Sequence, residues 1–465
     1  LRKLKADGKA PKKLSFMIMA GCAGHWSTPF PEGAKAAKDI IFEETGIEID
    51  VVSIVEEDMA TKIVQDYQTG SRKYDIYTSW SNELADIAAS GALQNLDEFM
   101  DKYKPDWVDP KLGLVGGEVT LASTSKVYGS VYNVVMDGDT ELYYYRKDLM
   151  EDPEEQRKFK ARYGWDLHPA ETWEQWDQIG EFFTRPAQNL LGYTGLMNRY
   201  WGHLNWYPRF TSFAIPNQYY WDPDTGEPLI YSEAGIQATK EHVNSLKHHS
   251  KDGLSWGWPE QYSNFGAGGA ATTVAVANLS KFLDNVDNPD SKPIHGKVMS
   301  ALAPGRIING KLVRRTDWYP DVGHQIASDS KYAEAAYLVM QWASDGLISS
   351  WLTANPAGYY DPCRITHLED PLLVEKYHPY NMKTEYTSML HCTPPITIPG
   401  VIEFQNALDI ALQEAGTGRK TAEQAMKDAT AEWNKIIKKI GREKHIQAVK
   451  ASMESWPTVI DKPTI

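Results

Sequence analysis

The sequence predicts an α/β protein of two lobes, each a mostly parallel sheet flanked by helices. Three observations lead there. The chain has 465 residues, more than one ordinary core holds, since domains usually run to about 100–200 residues. Between Leu14 and Tyr77 short apolar runs alternate with stretches of helical periodicity, the pattern of strands joined by helical crossovers. From Val127 to Leu149 the chain reads VYGSVYNVVMDGDTELYYYRKDL. An apolar run there enters the Asp137-Gly138-Asp139 turn and leaves through consecutive tyrosines, as expected where a chain crosses between two lobes.

The elements follow in order. Leu14–Met19 is nearly continuous apolar sequence, which suits a strand covered on both faces. Ala34, Ala37, Ile40 and Ile41 recur at helical spacing, and Gly46 stands where a left-handed cap would end that helix. Ile47–Val52 is the second strand. Met59, Ile63 and Tyr67 mark a second helix, closed by Gly70, and Tyr74–Tyr77 is the third strand. In open α/β sheets ligands bind at the carboxyl ends of the strands. The site-facing loops are then 21–28, 56–58 and 79–83. The first carries His25 and Trp26, the third Trp80 and Asn82. Flat rings cover the C–H face of a sugar, and amides, hydroxyls and carboxylates bond its hydroxyls.

In the second lobe, Thr172 with Gln175 three positions on reads as a capping box. Trp173, Trp176, Ile179 and Phe183 form the buried face of the helix it starts. The segment 198–231 is crowded with aromatic residues at irregular spacing, interleaved with His203, Asn205, Arg209, Asn217 and Gln218. It reads as the wall of a cleft, with Trp206 stacking and Arg209 donating a forked pair. The glycines of Phe265–Ala271 precede an apolar strand, Thr272–Ala277, and not a helix, so they are no dinucleotide fingerprint. That strand ends at Asn278, a further candidate contact. Thr421 with Gln424 starts an amphipathic helix over 421–440.

Composition narrows the function. A formal net charge of −14 repels phosphate backbones, so nucleic acid is a poor partner. No run approaches the roughly 18 apolar residues of a membrane span. The basic, polar opening LRKLKADGKAPKK reads as a flexible terminus. Met19-Ala20-Gly21-Cys22 looks like a lipoprotein cleavage box but reads better as the end of a buried strand. Cys363 and Cys392 lie in Pro-rich sequence; a disulfide between them and free thiols remain equal alternatives. His242, His248 and His249 do not share one metal-binding face and read as a solvated helix end. No nucleophile elbow, zinc signature or P-loop is present. Neither a metal nor a cofactor is expected. Paired carboxylates are the core of glycosidase chemistry, and an enzyme built on Asp137 and Asp139 is the alternative to a binder. Adjacent carboxylates in one turn more often accept sugar hydroxyls.

Several segments together carry a family resemblance. They are Thr45-Gly46-Ile47 before alternating aliphatics, Leu84–Leu93 followed by Leu96-Asp97-Glu98-Phe99, Phe265–Ala271, VMSALAPG at 298–305, and LTANPAGYYDPCR at 352–364. Their order and spacing resemble extracellular solute-binding proteins of family 1, the maltose-binding-protein-like sugar-capturing components of ABC importers. The resemblance implies a periplasmic-binding-protein fold, with lobe 1 from 1–134 plus about 321–361. Lobe 2 would hold about 135–320 plus about 362–465. It implies a ligand cleft between them that closes on a hinge. The partners would be a carbohydrate (sugar, glycoside or polyol) and a membrane permease. The protein would be monomeric and not an enzyme, and would work in the periplasm or outside the cell; a lipid anchor through a segment outside this chain stays open. Expected ligand contacts are His25, Trp26, Trp80, Asn82, Asp137, Asp139, Trp206, Arg209, Asn278 and Tyr359. Arg364 ends the family's hinge segment, here altered by inserted Tyr359-Tyr360-Asp361 and a cysteine.

Overall fold

The structure is a computed structural model that describes residues 1–213, 219–315, 322–390, 393 and 397–453. Asn217, Gln218 and Cys392 fall outside the described residues. The chain divides into two compact units. Unit 1 comprises Leu1–Asp139, Tyr319–Tyr377 and Pro394–Val401, and unit 2 comprises Thr140–Trp318, His378–Thr393 and Ile402–Ile465. The return to unit 1 runs past the expected 361. Arg364 is one reason: its guanidinium pairs with Asp106 at 2.9 Å and donates to the Leu112 carbonyl at 3.0 Å, tying that stretch to unit 1.

Unit 1 is built on a five-stranded sheet. Strand Lys13–Met19 lies between Glu48–Ile54 and Ile76–Trp80, parallel to both. Strands Val322–Ile326 and Val134–Val135 extend the sheet antiparallel. The apolar run that predicted the first strand is buried: Leu14, Phe16, Ile18 and Met19 have no exposed surface. Each such side chain contributes about 1.5–3 kcal/mol. Helix Ala37–Thr45 ends at Gly46 with φ of 66°, the left-handed cap read from sequence. Helix Met59–Gln68 presents Ile63 to the core, and its Asp66 carboxylate accepts from the buried Tyr77 hydroxyl at 2.8 Å.

Unit 2 holds a four-stranded sheet whose pairing differs from the expected one. Leu142–Arg146 pairs antiparallel with both Val298–Leu302 and Ala270–Ala275; only Leu191–Thr194 with Ala270–Ala275 is parallel. Helix Trp173–Phe183 starts with the predicted capping box. Trp173, Trp176, Ile179 and Phe183 pack with Tyr143, Phe159 and Tyr193 into a core. Helix Ala422–Ile440 buries Ala425, Ala429, Trp433 and Ile436, and only half of a capping box forms at its start. Thr421 caps the Gln424 amide, while the Gln424 side chain donates to Asp428 instead. A last helix, Arg442–Met453, follows where the sequence offered no guide.

Two readings are corrected. The segment taken for cleft wall contains helix Gly202–Thr211, every residue of which is buried. Aromatic residues on all sides of a helix mean core on all sides, which is why the spacing looked irregular. The three histidines read as a solvated helix end are all buried, at 6 % exposure or less. His242 continues the inward stripe of Gly235, Ala238 and Thr239 on helix Glu233–Ser245. Among the described residues no helix is long and apolar enough to cross a membrane.

Candidate ligand-binding site

The carboxyl edge of the unit 1 sheet is assembled from segments far apart in sequence. Strand Lys13–Met19 runs straight into helix Ala20–Ser27, so the expected first loop is helical. Small residues at 20, 21, 23 and 24 let the helix press against segment 357–361. A Cβ on Gly24 would stand 1.7 Å from the Ala357 carbonyl oxygen, and one on Gly358 would stand 2.2 Å from the His25 ring. Only glycine allows this approach.

His25 is fully buried and fastens the two segments. Its Nε2 accepts from the Tyr360 amide at 2.9 Å, so Nδ1 carries the proton and donates to the Leu352 carbonyl at 2.7 Å. The imidazole stacks on the Tyr360 ring with centroids 3.9 Å apart. Trp26 is also fully buried, packed edge-on against Phe16 at 5.1 Å. Both were expected to touch ligand; both are framework of this edge.

What the framework presents is Tyr359. Its amide donates to the Gly21 carbonyl at 3.0 Å and its ring lies over Gly21, where a Cβ would come within 2.2 Å. The residue is still 45 % exposed. The Glu56 carboxylate beside it accepts from the Gly21 amide at 2.6 Å. Burial and the Glu56 charge push the Tyr359 phenol above its usual pKa.

Asp137, Asp139 and Asp361 lie together on the same unit. One carboxylate oxygen from each falls within 4.8 Å of the others, and all three residues are buried. Asp137 Oδ1 accepts from the amides of Gly138 at 2.9 Å and Asp361 at 2.5 Å. Such a concentration of acceptors suits either sugar hydroxyls or a cation. Trp80 closes strand Ile76–Trp80 and is 9 % exposed, and Asn82 follows in the short turn Ser81–Glu83, partly exposed. Unit 1 thus gathers Asp137 and Asp139 and adds Asp361 and Glu56. The inserted Tyr359-Tyr360-Asp361 was the signal for Asp361.

The remaining candidates are placed differently. Arg364 is buried in its pairing with Asp106 and backbone carbonyls of unit 1. Trp206 in unit 2 is fully buried; its indole donates to Thr239 at 2.9 Å and its ring stacks on Phe210. Arg209 stacks over Trp173 at 4.2 Å and donates to the Asn205 carbonyl and side chain. Burial lowers its pKa. Asn278 opens helix Asn278–Leu283 just beyond strand Ala270–Ala275 and accepts from the Tyr262 hydroxyl at 2.5 Å. It keeps the strand-end position read from sequence.

Residues 25–345 match the family model of bacterial extracellular solute-binding proteins. The chain belongs to this family. It is 23 % identical over 349 residues to a probable amino-acid ABC transporter periplasmic-binding protein of Sinorhizobium fredii. That match covers 72 % of this chain and 70 % of the relative. Among solved structures, a ribitol complex of an ABC transporter solute-binding protein from Agrobacterium radiobacter K84 superposes with a TM-score of 0.73 at 19 % identity. It covers 91 % of this chain and 98 % of its own. A D-mannitol complex from Agrobacterium vitis S4 gives 0.72 at 19 % identity, covering 92 % and 99 %. Maltose-bound MalE3 of T. maritima gives 0.72 at 19 % identity, covering 91 % and 99 %. The fold is therefore that of the solute-binding proteins.

Proposed function

We propose that this protein captures a neutral sugar or polyol outside the cytoplasm, as a monomer, and hands it unchanged to an ABC importer permease. One observation carries the ligand class. The Asp137, Asp139 and Asp361 carboxylates cluster on the unit that presents Tyr359. The segments 20–28, 55–59, 80–84, 136–139 and 357–361 contain no Lys or Arg. Carboxylates accept hydroxyl protons, and an aromatic ring covers a sugar's apolar face. An amino acid or a sugar acid would bring a carboxylate into a field of like charge. The polyols and maltose bound by the similar structures support the same class. A glycosidase would need carboxyl groups flanking the scissile bond, and Asp137 and Asp139 sit on one turn.

The test is a thermal-shift screen of D-mannitol, ribitol, D-glucose and maltose against amino acids and sugar acids. A ligand at about 100 times its dissociation constant adds about 2.7 kcal/mol. A neutral polyhydroxylated hit recovered unchanged supports the reading. Hits confined to amino acids or sugar acids, or a product in the hit wells, overturn it.

A further inference from the structure

Unit 2 contains a cavity of about 850 Å³, inside the size range of about 300–1,000 Å³ common to small-molecule sites. It lies along helix Trp173–Phe183, which supplies Trp173, Asp177 and Gln178, and helix Glu233–Ser245, which supplies Gln237, Glu241 and Asn244. Arg306 of strand Gly305–Ile308 also lines it. Nothing in the transport reading uses it.

Its charges decide what it suits. Arg306 forms a two-pronged pair with Glu241, one prong at 2.9 Å and the other Nη2 to Oε2. Its remaining donors reach the Arg209 carbonyl at 3.1 and 3.3 Å, and its guanidinium covers the Phe213 ring. Arg162 is paired with Glu181. The ions on this lining are largely matched by one another, so an ionic ligand would have to break an existing pair. Lys247 and Glu174, both exposed, are opposite in sign.

Asp177 is different. It accepts from the Asn244 amide at 2.5 Å and faces His248 Nε2 across 3.9 Å, too far for a hydrogen bond. Burial lowers the pKa of His248, which favours the neutral ring, and raises that of Asp177. The Asp177 carboxyl group lines the groove together with the side-chain amides of Asn244, Gln178 and Gln237. The Trp173 indole is held in place by the Arg209 guanidinium at 4.2 Å. Planar amide and carboxylate groups around one indole make a lining for vicinal hydroxyls.

We propose that this groove is a second binding site for a small neutral polyhydroxylated molecule, of mono- or disaccharide size, separate from the carboxyl edge of unit 1. It stands on unit 2 alone and does not require the transport reading to hold. The experiment follows the tryptophan indole N–H signals by NMR during titration of the full chain with D-glucose, maltose and D-mannitol at millimolar concentrations. Trp173→Phe and Trp80→Phe identify the two reporter signals. The expected result is a saturable movement of the Trp173 signal that Asp177→Asn weakens at least tenfold, with Trp80 responding independently. Movement of Trp80 alone overturns the second site and leaves the transport reading. Movement of Trp173 alone supports the second site while removing the reading at the unit 1 edge. Stillness of Trp173 with all three probes, or a Trp173 response unchanged by Asp177→Asn, overturns the proposal.

Discussion

The most deeply buried histidines of the two units are treated in opposite ways. Unit 1 has His25, His324 and His367, all without exposed surface. Each is bonded at both ring nitrogens: His25 to Leu352 and Tyr360, His324 to Thr78 and Tyr360, His367 to Ser349 and Cys363. In unit 2, His242 and His445 are as deeply buried, yet neither ring nitrogen of either has a hydrogen-bond partner. His445 sits instead among the rings of Trp221 and Phe404. In unit 1 these imidazoles are polar fasteners; in unit 2 His242 and His445 fill core space, whereas the less deeply buried His249 accepts from the Gly195 and Ser250 amides at 3.0 and 2.7 Å. A fastener costs stability when removed; a filler costs stability while present, because its nitrogens lost water and gained nothing.

The largest effect should come from breaking a fastener. His25→Ala leaves the Tyr360 amide and Leu352 carbonyl without partners and opens a cavity, so a loss of about 3 kcal/mol is expected in urea unfolding. Any ligand-induced thermal shift should disappear with it.

Next comes the filler. His242→Leu should stabilise by about 1–2 kcal/mol at neutral pH by removing unpaired buried nitrogens. The pH dependence sharpens the contrast. Burial, with Arg209 nearby, lowers the His242 pKa from 6.5 to about 3. A group whose folded pKa is depressed contributes fully above its unfolded value and loses its contribution as pH falls, here from 6.5 toward 3. Wild type should lose up to about 1.4 kcal/mol per pH unit from this residue, and His242→Leu should flatten that slope. An unchanged slope would show that other groups govern acid unfolding. His445→Leu should behave the same way with a smaller gain of about 1 kcal/mol, because burial leaves its pKa at about 4. Smallest in stability is Tyr359→Ala, within about 0.5 kcal/mol for an exposed side chain, with ligand affinity falling roughly tenfold for loss of an aromatic contact.

Much of this contrast was hidden from the sequence. Gly46 and the Thr172/Gln175 box were legible because local backbone chemistry sets them. The three parallel strands of unit 1 followed from apolar runs and crossover spacing. The helix Gly202–Thr211 was not legible, because burial on every side erases the periodicity that marks a half-exposed helix. His242 belonged to a helical stripe that its polar class concealed. At the candidate site, Asp137 and Asp139 announced themselves as a turn, whereas Asp361 joins them only through tertiary contact. The full burial of Trp26 and Trp206 was not legible, because an indole in a polar-looking segment reads the same whether it covers a sugar or a core.

The fastening of His25 to Tyr360 has a consequence for how the protein is made. The two residues stand 335 positions apart, and closing a loop of that length costs about 5 kcal/mol in its length-dependent part alone. A growing chain that has not yet reached position 359 has neither Tyr359 nor Asp361 to place, whatever its earlier strands have done. The proposed ligand edge is thus among the last parts of unit 1 to exist. Recognition appears late in synthesis, and a chain truncated in its middle third would carry a sheet but no receptor.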